Sequence, residues 1–148
     1  MAESRKDRNA YRVFYELATR WRDNDIYGHV NNVVYYEWFD SAANRLLIEH
    51  GGLDIHNGES IAFVVSSGCD YHAPVAYPDH IEVGITIAKL GNSSLNYELA
   101  IFKRGEDSAL ASGHFVHVFV DRHTQKPRPI PETMRAGIRP FCKSDDSD

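Results

Sequence analysis

The chain predicts an α+β fold in which an antiparallel sheet of about five strands wraps one long central helix. Three observations carry that expectation. An early run of residues alternates with period two and gives way to a single long stripe of helical period. Beyond the stripe, period-two runs return, joined mainly by short turns, as in antiparallel pairing rather than βαβ crossovers. No internal repeat and no linker divides the 148 residues, so 1–148 reads as one domain with one core.

From Tyr11 the residues Tyr11, Val13, Tyr15, Leu17, Thr19 and Trp21 share one face, and Arg12, Glu16, Arg20 and Arg22 lie on the other. This is the pattern of a strand with one buried face. The period then changes. Val34/Tyr35, Trp38/Phe39, Ala42/Ala43 and Leu46/Leu47 recur at helical spacing, with Glu37, Asp40, Asn44, Arg45 and Glu49 mostly off the stripe. Asn31 or Asn32 can cap the start and Gly51-Gly52 the end, which makes about five turns. Residues 53–60 read as a loop. Four further strands are expected over 61–74, 80–90, 95–103 and 108–121, with turns at Gly91-Asn92-Ser93 and Gly105-Glu106-Asp107. The run Phe115 to Val120 is apolar on both faces except at His117, as in a central strand. Pro127, Pro129 and Pro131 interrupt regular structure, and 131–138 reads as a short helix. The polar ends, 1–9 and 143–148, are expected to be disordered.

Composition narrows the function. Hydrophobic content of 43% and charged content of 25% are those of an ordinary globular protein. The net charge is −5 and the basic residues form no stripe, so a nucleic-acid surface is not expected. No apolar run approaches the roughly 18 residues of a membrane span, and Met1 to Ala10 has no apolar secretory core. Cys69 and Cys142 lack metal-type spacing and make no disulfide framework; a reducing, cytoplasmic setting is expected.

The chemistry-bearing residues gather where the first strand passes into the helix, in Asp23-Asn-Asp25-Ile-Tyr27-Gly28-His29-Val-Asn31-Asn32. A carboxylate beside free N–H groups at a helix N-terminus can attack and stabilise a polarised carbonyl. The same residues would also make a well-capped helix, with Asp23 and Asp25 as turn formers. Asp23, Asp25 and His29 match no strong metal-ligand spacing, and no metal is expected. His114 and His117 are three apart in a strand and so face opposite sides, against a shared metal. Ser66, Ser67 and Cys69 have no Gly-x-Ser-x-Gly elbow, which argues against a serine-hydrolase triad.

The order of elements and the run from Asp23 to Tyr35, continued through Trp38 and Asp40, resemble the hotdog-fold thioesterases of the 4-hydroxybenzoyl-CoA thioesterase type, including the short bacterial acyl-CoA thioesterases. The likeness spans nearly the whole chain and includes the segment around Pro74, the Gly91-to-Ser94 turn and the Val120-Asp121-Arg122 to Pro127-Arg128-Pro129 exit. It implies hydrolysis of an acyl-CoA thioester to free acid and thiol, without cofactor or metal. It places the catalytic carboxylate, nucleophile or general base, on Asp25. It assigns the helix N-terminal N–H that polarises the carbonyl to Asn32, with Asn31 beside it. It implies a homo-oligomer, a homodimer or a homotetramer of paired dimers, with the site between two subunits. Gly28 would permit the turn, His29 would assist or position, Tyr27 would line the acyl pocket, and Ser94 would touch the pantetheine arm.

The likeness has departures. The Gly91-Asn92-Ser93 turn is uncharged, with only Lys89 close by, where the hydroxybenzoyl enzyme carries basic residues; an acyl carrier protein thus stands beside coenzyme A as the thiol partner. Gly-His-Val-Asn-Asn looks more like the acyl-chain thioesterases, including the plant acyl-carrier-protein enzymes. Glu37 is the nearest candidate for the helix glutamate of another hotdog lineage, but its flanks differ from that pattern. A non-catalytic acyl-thioester binder would need the same pocket and N–H.

Overall fold

In the computed structural model, which describes residues 7–143, the elements are β1 (Val13–Ala18), α1 (Asn32–Gly51), β2 (Ser60–Tyr71), β3 (His80–Leu90), β4 (Ser94–Lys103), β5 (Ala111–Asp121) and α2 (Glu132–Ile138). The five strands form one antiparallel sheet in the order β1-β3-β4-β5-β2. Helix α1 packs across β3 and β4. This is the antiparallel sheet on one long helix that the alternating runs and the helical stripe predict, and the hotdog arrangement that the family resemblance implies.

The core follows from the two periods. Phe39, Ala43, Leu46 and Leu47 from α1 meet Ile81, Val83, Ile85 and Ile87 of β3 and Leu95, Leu99 and Ile101 of β4, all fully buried. Ala42 and Ala43 let the helix approach the sheet. Gly113 on β5 does the same from the other side, since a Cβ there would lie 2.2 Å from the Gly68 carbonyl oxygen and 2.8 Å from the Phe39 ring. The helix begins with Asn31 as N-cap, its side chain accepting the Val33 N–H, and ends at Gly52 in the left-handed region. His117 is buried against Tyr97, whose hydroxyl is 2.9 Å from its Nδ1, and burial pulls its pKa down to about 4. His114 is exposed on the opposite face of β5.

Several expected boundaries move, each for a local reason. The first strand stops at Ala18 instead of reaching Trp21. The Arg20 amide and guanidinium bond the Asp23 carboxylate three residues on, which bends 21–23 into a 3-10 turn. Trp21 therefore leaves the apolar face and is 74% exposed. Tyr11 packs against the other face, with Phe14, Ala100, Phe102 and Ala109, because a 3-10 turn at Arg8–Ala10 precedes it. Strand β2 ends at Tyr71, short of Pro74, where the His72 and Ala73 amides both turn to the Leu110 carbonyl. Strand β5 starts at Ala111, not Ser108.

The expected disordered ends lie mostly outside the described residues. Of the first nine, residues 7–9 depart from that expectation. Asp7 bridges Ser108, and Arg8 pairs with Glu82 while its guanidinium sits 4.7 Å over the Phe14 ring. Lys143, placed in the tail by its sequence, donates its N–H to Ile87. No helix among the described residues is long and apolar enough to cross a membrane.

Candidate active site

Between β1 and α1 the chain makes a closed loop with a polar frame. Of residues 21–29 only Asp23 is buried, at 2% exposure. Its carboxylate takes the Arg20 N–H at 2.8 Å and two guanidinium bonds at 3.1 and 2.8 Å. Its main-chain oxygen takes the Asn31 N–H at 2.8 Å. Above that closure the Asp25 N–H reaches the His29 oxygen at 2.8 Å and the Gly28 N–H reaches the Asp25 oxygen at 3.1 Å. Gly28 has φ of 85°, a conformation that costs a residue with a Cβ roughly 1 kcal/mol or more. The loop base rests on the segment after β2, through Val30 N–H to Val75 O at 2.7 Å and Tyr77 N–H to the Asn24 side chain at 3.1 Å.

The helix N-terminus is where this frame matters. Its first four N–H groups have no intrahelical acceptor. Asn31 donates to Asp23 O, Val33 to the Asn31 side chain and Val34 to Asn31 O. Asn32 alone is left, with no acceptor among the described residues. Asn31 is thus a cap, and Asn32 is an open donor at the positive end of a long helix.

A cleft of about 320 Å³ opens at this point, lined by His29, Val30, Asn32, Tyr35 and the segment from Tyr71 to Pro74. Tyr71 stands over its mouth, its ring edge-on to Tyr35 at 4.9 Å and its hydroxyl donating to Asn32 O at 3.4 Å. Tyr35 and Trp38 are buried in the core beneath it. Asp25 is half-buried on the loop beside the cleft. One carboxylate oxygen accepts the Tyr27 N–H at 2.9 Å and the other has no partner among the described residues.

The chain therefore brings Asp25, Gly28, His29, Asn31 and Asn32 into one loop-and-helix corner. It does not bring Tyr27 and Ser94 into the cleft. Tyr27 points outward, at 80% exposure. Ser94 pairs with Val118, seven residues along β5 from Ala111, the partner of Tyr71, and so lies roughly 24 Å along the sheet from the mouth of the cleft. The residues that sequence reasoning left out are Tyr71, which forms the mouth, and Arg20, which holds Asp23. Tyr71 gave no signal beyond being a strand aromatic; the i,i+3 spacing of Arg20 and Asp23 was visible. Burial pushes the Cys69 thiol up to about 11, which makes it a poor nucleophile at neutral pH. No group of three His, Cys, Asp or Glu among the described residues is arranged to hold a metal ion.

The fold has counterparts in known proteins. Residues 19–138 match the family model of the thioesterase-like superfamily, and the chain belongs to that family. It is similar to the PA5185 protein of Pseudomonas aeruginosa strain PAO1, at 55% identity over 95% of this chain and 98% of that one, with a TM-score of 0.92. It is also similar to the PA2801 protein of Pseudomonas aeruginosa, at 31% identity over 84% and 96%, TM-score 0.77. The gentisyl-coenzyme A thioesterase BH1999 is 26% identical over 85% and 99%, TM-score 0.76.

Proposed function

We propose that the protein is an acyl-CoA thioesterase, which releases a free acid and coenzyme A. Membership of the thioesterase-like superfamily supports thioester hydrolysis, and the name of BH1999 supports coenzyme A as the thiol. The observation that carries the assignment of roles is the Asn32 N–H, the one donor of the first helical turn without an acceptor among the described residues, at a cleft flanked by the Asp25 loop.

The thioester carbonyl lies against the Asn32 N–H, which together with the helix dipole stabilises the charge that builds on its oxygen. Asp25 acts through the carboxylate oxygen that has no partner among the described residues, either on water or on the carbonyl carbon itself. As general base it takes a proton from water as the hydroxide adds; as nucleophile it forms an acyl-carboxylate that water then hydrolyses. Either way the C–S bond breaks and the thiolate leaves with a proton from solvent or from His29. Gly28 keeps the loop closed. No metal or cofactor takes part.

The site is completed by a second copy of the chain. Strand β2 is an outer strand that exposes Phe63, Val64 and Val65, and the site loop exposes Ile26 and Tyr27. Exposed apolar edges of this kind are paired or covered in stable proteins. A partner would also supply the Ser94 that one chain holds far from Asp25. The two free cysteines suit a cytoplasmic setting.

The test is a panel of short, long and aromatic acyl groups on coenzyme A and on acyl carrier protein, followed by thiol release, with Asp25→Asn alongside. Asp25→Asn is expected to lower kcat by about 10²–10⁴-fold, the range for a general base. Undiminished hydrolysis in that variant removes Asp25 from the mechanism. Tight acyl-CoA binding without turnover of any substrate makes the protein a binder. Hydrolysis only on the carrier protein makes that the thiol partner. A monomer that is active in solution refutes the shared site.

A further inference from the structure

We infer that Asp23 is a positioning residue for the reaction: with Arg20 and Glu37 it fixes which amide of the helix N-terminus faces the substrate. The inference rests on the thioesterase reading above and names a residue outside the cleft.

The loop ends on Val30, which is buried in the core; before it the buried group is a carboxylate. Between Trp21 and His29 the side chains of Trp21, Ile26 and Tyr27 are exposed at 74%, 93% and 80%, and Asp23 is the one buried residue of the stretch. Directional bonds, rather than burial, therefore set the loop. Asp23 accepts three bonds from Arg20, one from its amide and two from its guanidinium. The same guanidinium reaches Glu37 on α1 at 3.4 Å, which ties the turn to the helix it precedes. The Asp23 main-chain oxygen, held in place by those bonds, takes the Asn31 N–H at 2.8 Å.

That last contact has a consequence for selection. If residue 23 drifts by an ångström, the Asn31 N–H loses its acceptor and competes with Asn32 for the carbonyl. The Asn31 cap on Val33 shifts with it. Displacements of about 1 Å at a reacting centre cost on the order of 10²-fold in rate. The clamp thus converts a helix end with two adjacent amides into a single aimed donor.

Asp23→Asn tests this most directly. An asparagine keeps the shape, but its amide nitrogen replaces an acceptor with a donor that faces Arg20. Arg20→Lys is the second variant, since lysine keeps the charge and loses the fork. Two readouts are taken on the full-length protein: kcat and KM for thioester hydrolysis, and hydrogen exchange at the Asn31 amide. The expected result for Asp23→Asn is at least tenfold faster Asn31 exchange, kcat lower by about 10–100-fold, and KM within about twofold of the native value. Arg20→Lys moves both readouts in the same direction by less. Faster exchange with unchanged kcat overturns the inference, because the clamp is then only structural. Unchanged exchange overturns it too, because Asp23 does not hold the amide. If Asp23→Asn does not fold, Arg20→Lys decides by the same two readouts. A native protein that hydrolyses no thioester refutes the functional reading and the catalytic half of the inference; the exchange measurement still decides whether Asp23 fixes Asn31.

Discussion

The body of α1 and the loop that leads into it are neighbours in sequence and are built on opposite principles. The helix places Phe39, Ala43, Leu46 and Leu47 at zero exposure against the sheet, so its position is set by burial. The loop from Trp21 to His29 buries one residue, Asp23, and its shape is set by the bonds of Arg20 to Asp23, Asn31 to Asp23, Tyr77 to Asn24, and Asp25 to Tyr27, Gly28 and His29. Burial is non-directional and additive, which suits a scaffold. Hydrogen bonds are directional, which suits the proposed site, where one N–H and one carboxylate would have to be aimed. The lesson is that stability and activity should come apart on mutation along the line between these regions.

The largest separation is expected from Phe39→Ala. Removing a fully buried ring costs about 3–5 kcal/mol of stability, read as a lower denaturant midpoint. Turnover per folded molecule should stay unchanged; a parallel loss of kcat would show that core and loop are one unit. A second separation is by pH. His117 has a pKa near 4 in the fold, against about 6.5 unfolded. The unfolded chain therefore binds the extra proton between those values. The contribution of this group is fully present above pH 6.5 and is lost as pH falls toward about 4, by about 3 kcal/mol. His117→Gln keeps an acceptor for the Tyr97 hydroxyl and should flatten that part of the stability profile, measured by denaturation at each pH. The smallest effect is at the border itself. Asn31→Ala removes the cap on Val33 and should cost about 1 kcal/mol of stability. It should also lower kcat, since the freed Val33 N–H sits one residue from Asn32; stability loss without any change in kcat would place the border elsewhere.

The sequence showed the scaffold well and the site in part. The helix, its N-cap at Asn31 and its stop at Gly52 were legible because periodicity and caps are local signals. Asp25, Gly28, His29 and Asn32 were legible as a cluster because four residue types with distinct chemistry lie within eight positions. Alternation carried across Arg20 puts Trp21 on the buried face, whereas the bond from Arg20 to Asp23 ends the strand. Alternation likewise puts Tyr11 with Tyr15, whereas a turn before Tyr11 precedes its packing on the other face. Composition puts Arg8 in a disordered lead, because its partners Glu82, Phe14 and Phe102 are distant or on another face.

Spacing alone carries the two periods, the turns, the caps and the motif between strand and helix. Which groups are left over is settled only once the chain has folded. That the Asn31 N–H is consumed, while the Asn32 N–H has no acceptor among the described residues, depends on an oxygen eight residues upstream of Asn31, at Asp23. That Tyr71 closes the mouth of the cleft depends on β2 passing the helix N-terminus. Spacing fixes what a residue can do; the free donor, the buried carboxylate and the cleft exist only after distant segments have used up every other partner.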